Sequence, residues 1–128
     1  MPFHHERLIV YRKGIQFVAV ATEVIPGIEP AHVHLRDQLA RAATSISLNI
    51  AEGSGEYSRS EKGRFYRMAR RSATECAAIL EVLIVIGHPA ADRLEAGRAL
   101  LNEIVAMLTT MAKNQGPEGR LAGKGVGA

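Results

Sequence analysis

The sequence predicts an all-α protein, an antiparallel up-down-up-down four-helix bundle, and three observations carry that prediction. Four segments place apolar residues at alternating spacings of three and four, the repeat of one helical face. Between them stand Pro26-Gly27, Gly53-Ser54-Gly55 and Gly87 with Pro89, residues that end helices and turn chains. The composition agrees: 47% of the 128 residues are hydrophobic, only 5% are aromatic and Trp is absent, which suits an aliphatic, alanine-rich core of close helix–helix contacts. Short connections make antiparallel neighbours the default topology.

The first helix is expected from about Arg7 to Ile25, with Leu8, Tyr11, Ile15, Val18, Thr22 and Ile25 along one face. Ile9, Val10, Phe17, Val20 and Ala21 fall elsewhere on the wheel. A helix apolar on most sides needs cover on more than one, in a small bundle often from another subunit. Gly14 weakens it by about 1 kcal/mol relative to Ala, so packing must hold it. Pro26-Gly27 ends it, and Pro30 suits the first turn of the next helix, where a missing N–H costs nothing.

The second helix is expected from about Ala31 to Ala51 or slightly beyond, with Leu35, Leu39, Ala42, Ile46, Asn49 and Ile50 on one broad side and Gly53-Ser54-Gly55 as its stop. The third opens on Ser58 and Glu61, the Ser-x-x-Glu capping-box spacing. Its apolar face reads Phe65, Met68, Ser72, Cys76, Ile79, Leu83 and Ile86, and Gly87 closes it. The fourth runs from about Ala90 to Lys113, with Leu94, Gly97, Leu101, Ile104, Leu108 and Met111 at heptad-like spacing. Residues 1–115 thus form one bundle domain. Residues 116–128, mostly Gly, Ala and isolated charges, are expected to be a flexible tail.

The single cysteine, Cys76, excludes an internal disulfide and fits a reducing cytosol. The N-terminus lacks the apolar run of a secretory signal, and no stretch approaches the ~18 apolar residues of a spanning helix. The expectation is a soluble cytoplasmic protein with no membrane partner. A formal net charge of +3 and a pI near 9.4 permit a polyanionic partner without demanding one.

Two clusters bear on function. The stripe Arg41, Ser45, Asn49 and Glu52 runs along the second helix at spacings of four, four and three. It either lines a site or forms a buried polar network to the third helix, with Glu52 paired to Arg67, Arg70 or Arg71 and Arg41 paired to Glu75. The structural role is favoured, because a satisfied network fixes one packing register while an uncompensated buried charge is costly. The basic run Arg59, Lys62, Arg64, Arg67, Arg70 and Arg71 is the one plausible polyanion footprint. In a single subunit the favoured reading is a solvated face partly cancelled by Glu56, Glu61 and Glu75; a ring would repeat the patch and shift the balance.

Catalysis finds no support. His4, His5, His32, His34 and His88 make no helical i, i+4 pair, so neither a metal nor another cofactor is expected. Gly53-Ser54-Gly55 lacks the spacing of a phosphate-binding loop, and Cys76 sits on an apolar face.

The order Gln38-Leu39-x-Arg41-Ala42-Ala43-x-Ser45-Ile46-x-x-Asn49-Ile50-Ala51-Glu52-Gly53, followed by Arg64-Phe65 and Ala69-Arg70-x-Ser72-x-x-Glu75, resembles the bacterial four helix bundle protein family. Its members include proteins encoded in intervening sequences of 23S ribosomal RNA genes, and the accessory variability proteins of diversity-generating retroelements are related. The resemblance spans roughly Leu8 to Met111. It implies an all-helical subunit in a ring-like homopentamer. In the retroelement relatives a basic surface binds nucleic acid and a reverse transcriptase. The chain departs from the family at Ala40-Arg41, where two arginines are frequent, and at Arg71, where glycine is. Residues and resemblance together predict a non-enzymatic oligomeric bundle that binds RNA or DNA or acts as an adaptor. The alternative is a purely protein-binding homo-oligomeric assembly.

Overall fold

A computed structural model describes His5 and residues 8–115; the tail expected from Gly116 lies outside the described residues. Four helices follow one another: α1 (Ile9–Val24), α2 (Val33–Ser54), α3 (Arg59–Val85) and α4 (Ala91–Asn114). Two single 3-10 turns, Ile25–Gly27 and Pro30–His32, join α1 to α2, each with a proline among its first two residues. Each helix packs on two others, α1 on α2, α2 on α3, α3 on α4 and α4 back on α1, and among the described residues no backbones approach closely across a diagonal. That closed cycle with short connections is the four-helix bundle.

The helix ends follow local chemistry. Ser58 Oγ accepts the Glu61 N–H at 3.2 Å and caps α3. The reciprocal half of the box is absent, because the Glu61 carboxylate is held by Arg64. At the far end Gly87 adopts φ +86°, the left-handed geometry glycine tolerates. The His88 N–H then reaches Leu83 O at 3.0 Å and the Gly87 N–H reaches Ile84 O at 3.1 Å, the paired bonds of a Schellman end.

Two helix faces are rotated from the sequence expectation. In α1 the buried residues are Val10, Gly14, Phe17, Val20, Ala21 and Val24. The predicted stripe lies beside them: Ile15 and Thr22 are exposed, and Leu8, Tyr11, Val18 and Ile25 are half-buried. In α3 Tyr66, Ala69 and Ala73 point inward, while Phe65 and Ser72 are half-buried and Met68 is exposed. In both cases small residues decide. A Cβ on Gly14 would run into Ser47 of α2, and a Cβ on Gly97 would lie 3.1–3.3 Å from Leu80, Val20 and Phe17. Close approach dictates which side faces in, and the larger apolar side chains to either side become margins.

Gly53 and Ser54 do not stop α2. They are its last helical residues and Gly55 is the cap. A Cβ on Gly53 would stand 2.8 Å from Tyr66 Cε1 and 3.0 Å from Phe65 Cβ, so this glycine lets α3 press onto α2. α4 keeps its expected face, with Ala112 completing it in place of the half-buried Met111.

Candidate nucleic-acid interface

The α2–α3 seam collects the motif residues that are not core. Ser45 and Ser72 share a hydrogen bond at 2.9 Å, and Asn49 Nδ2 donates to both Ser45 O and Ser45 Oγ at 2.9 Å. All three are half-buried. This is the polar link between the two helices, smaller than the one expected and built on hydroxyls and an amide. The predicted ion pairs of Arg41 and Glu52 do not form. Arg41 meets Asp37 of its own helix at 3.7 Å. Glu52 and Glu75 are exposed, and among the described residues neither is ion-paired. At the seam margin a charge keeps its water, so it has no need of a partner.

Next to Ser72, Cys76 is fully buried. Burial, with the charge of Glu75 added, pushes its thiol up to about 12 from an ordinary value of 9.0. The thiolate is the nucleophile, so Cys76 is expected to resist a disulfide-exchange reagent at pH 8 in the folded chain and to react on unfolding in guanidinium. The sign of the pH effect follows. Well below pH 9 the group is protonated folded or unfolded and leaves stability unchanged. Above it the unfolded chain loses this proton first, so stability falls as pH rises.

The six cations of the predicted footprint have different employments. The Lys62 ammonium donates to Gly53 O at 3.3 Å and Ser54 O at 3.1 Å, satisfying the last carbonyls of α2. Arg59 Nη2 donates to Asn114 O at the end of α4. Arg64 pairs with Glu61 at 2.9 Å and lies 4.5 Å over the Phe65 ring. Its hydrogen bond and Coulomb attraction to Glu61 hold its pKa above the usual arginine value. Arg67 is half-buried on the next turn and is also engaged. The guanidinium groups of Arg70, half-buried, and Arg71, exposed, have no ion-pair or hydrogen-bond partner among the described residues. The anchoring of Lys62 and Arg59 has only a weak sequence signal, cations one and four residues beyond the cap Ser58.

Among the described residues no three His, Cys, Asp or Glu side chains gather closely enough to hold a metal, and no helix is long and apolar enough to cross a membrane.

The order of residues along this seam and the fold around it can be compared with known proteins. The family model of the 23S rRNA-intervening sequence protein matches residues 6–110, nearly the whole bundle. The chain belongs to that family. Among solved structures, a protein of unknown function from the S23 ribosomal protein family of Bacteroides thetaiotaomicron VPI-5482 superposes with a TM-score of 0.76. It is 24% identical, and the match covers 82% of this chain and 99% of that one. At that identity the likeness speaks for the fold alone. No curated protein matches the chain. Within the 23S rRNA-intervening sequence protein family, then, this chain presents a four-helix bundle with a hydroxyl–amide seam and, beside it, two arginines whose side chains have no partner among the described residues.

Proposed function

We propose that the protein is a non-enzymatic homo-oligomer, a pentamer by family resemblance, that binds RNA or DNA through the arginines of α3. The observation that carries this is the pair Arg70 and Arg71, cations with no partner among the described residues on a helix that also displays Arg64 and Arg67. Phosphate contacts need cations whose charge is not already neutralised. A ring would repeat the surface and make weak single contacts multivalent.

Support for self-association comes from the outer side of the α1–α2 layer. The rotated α1 stripe leaves Ile15 47% exposed, and Leu48 of α2 is 65% exposed. By helical phase Val18, Thr22, Ala40 and Thr44 lie nearby. Thr22 donates to Val18 O and Thr44 to Ala40 O, so these hydroxyls are satisfied within their own helices. The Asp37–Arg41 pair marks the edge of this uncharged strip. Depletion of charge is the compositional mark of an interface core.

Fluorescence anisotropy of a labelled single-stranded RNA and its DNA counterpart, titrated with KCl, tests the reading. Binding is expected at low salt and is expected to weaken steeply as salt rises. Arg70→Glu with Arg71→Glu should lower affinity at least about tenfold and flatten the salt slope. No salt-sensitive binding at low ionic strength would remove the nucleic-acid role. The second reading, an assembly that binds only protein, is favoured by the engagement of Arg59, Lys62 and Arg64 within the subunit.

A further inference from the structure

The corner between α2 and α3 holds an aromatic ring that the fold does not use. Tyr57 is 101% exposed, so folding gains nothing from burying it. The backbone beneath it is nonetheless fixed. Before it, the Glu56 N–H reaches Gly53 O at 3.2 Å, and after it Ser58 caps α3. Lys62 ties the same corner to Gly53 O and Ser54 O. A tyrosine on a fixed backbone has only two side-chain torsions to order, so it offers a large contact surface at low entropic cost.

A single exposed ring is ordinary on a protein surface. Its charge surroundings set this one apart. From Glu56 to Arg71 the sequence holds six Lys and Arg against two Glu, a net +4, while the whole chain carries +3. With Glu52 and Glu75 at the two margins counted in, the surplus is still +2. Arg59 and Lys62 are bonded to carbonyls, which leaves their charges uncancelled. Glu61 is taken up by Arg64 at 2.9 Å. Glu61 first, and then Glu56, raise the pKa of Arg64, so the residue before Tyr57 lies within Coulomb reach of that guanidinium.

From this corner the outer side of α3 alternates cation and apolar body. Arg64 lies 4.5 Å over the Phe65 ring and its side chain is still 47% exposed. Met68 follows four residues on, 39% exposed, and Arg71 three after that. By helical phase Arg64, Met68 and Arg71 share one side of the helix. Arg59 to Arg71 spans about 18 Å at ~1.5 Å per residue, the length of about five stacked nucleotides. Such a row suits a ligand with flat faces and regularly spaced negative charge. In a duplex each base hides both faces inside the stack, whereas an unpaired base shows a face.

We propose that the nucleic acid held by α3 is single-stranded, with a base stacked on the Tyr57 ring and its phosphates following the outer side of the helix towards Arg71. This rests on the nucleic-acid reading above and names the kind of strand that the surface takes.

Three ligands of about twenty nucleotides, prepared as RNA and as DNA and compared at one low salt concentration, test it: a single strand, the duplex of the same sequence, and a single strand in which abasic sites replace the bases. Charge alone ranks the duplex first and makes the single and abasic strands equal. Stacking is expected to hold the single strand at least about tenfold tighter than the abasic strand, and to place it above the duplex. The chain has no Trp, so tyrosine emission is readable, and the single strand should quench it where the abasic strand does not. Tyr57→Ala should bring the single strand down to the level of the abasic strand and leave the abasic strand unchanged, and Tyr57→Phe should keep the preference. Arg70→Glu with Arg71→Glu should weaken all three ligands. Equal binding of single and abasic strands by the native chain, or a Tyr57→Ala variant that keeps the preference, would overturn the proposal while the nucleic-acid role stood. Binding of none of the three would remove that role and the proposal with it.

Discussion

Phe17→Ala is expected to destabilise the chain by about 3–5 kcal/mol, read as a fall in the urea midpoint with an unchanged slope. Phe17 is fully buried. Its ring occupies the space that Gly97 leaves open on α4: a Cβ there would lie 3.3 Å from Phe17 Cε1, 3.2 Å from Val20 Cγ1 and 3.1 Å from Leu80 Cδ1. With so few aromatics in the chain, nothing of similar size stands ready to refill the hole. The backbone cannot close it either, because α1 is already held against α2 at the Gly14–Ser47 approach. A domain of this size has ~5–15 kcal/mol in total, so the variant should sit near the edge of folding at 37 °C. A shift of less than about 1 kcal/mol would mean that α1 presents a different face to the core.

Gly53→Val is the second large effect. Exchanging a helical glycine for another residue ordinarily gains up to ~1 kcal/mol. Here the new Cβ would stand 2.8 Å from Tyr66 Cε1 and 3.0 Å from Phe65 Cβ, and Tyr66 is only 5% exposed, so its ring cannot swing away. Overpacking of this kind costs about 1–3 kcal/mol and occasionally more, enough to reverse the sign. Gly55→Ala is the internal control. The nearest atoms to its Cβ are at 3.7 Å and its φ is −91°, so it should be close to neutral. Adding Tyr66→Ala to Gly53→Val should recover part of the loss, giving a coupling energy of about 1 kcal/mol. Equal effects at Gly53 and Gly55 would return both glycines to a plain turn.

These two substitutions also mark where the sequence was legible. Existence and order of the four helices were readable, because glycine, proline and the Ser58 cap are local signals that tertiary structure left in place. The face of α4 was readable because its large aliphatic residues Leu94, Leu101, Ile104 and Leu108 share one side while its charges lie on the other. The faces of α1 and of the first half of α3 were not. Both offer two apolar stripes about one residue apart, and the choice rests on small residues meeting across helices: Gly14 with Ser47, Gly53 with Tyr66. Pairwise fit of that kind has no one-dimensional signature. At the site, the spacing of the stripe Arg41, Ser45, Asn49 and Glu52 does not record how far each side chain stands from water. Only Ser45 and Asn49 reach the seam, and their partner Ser72 was hidden among residues read as core. The anchoring roles of Lys62 and Arg59 depend on the ends of other helices, 8 and 55 residues away in sequence.

The margins produced by those rotations are where the proposed function lies. By helical phase the stripe turned out of α1 lies on the same side as the exposed Leu48, and the outer face of α3 carries Arg70 and Arg71, whose side chains have no partner among the described residues. An assembly that covers the first while repeating the second is the central claim, and mass in solution tests it most directly. Sedimentation equilibrium or light scattering at micromolar concentration should give a multiple of the 13.8 kDa chain, five by family resemblance, and Leu48→Glu with Ile15→Glu should reduce it to a single folded chain. A native protein that sediments as a monomer at that concentration would contradict the account.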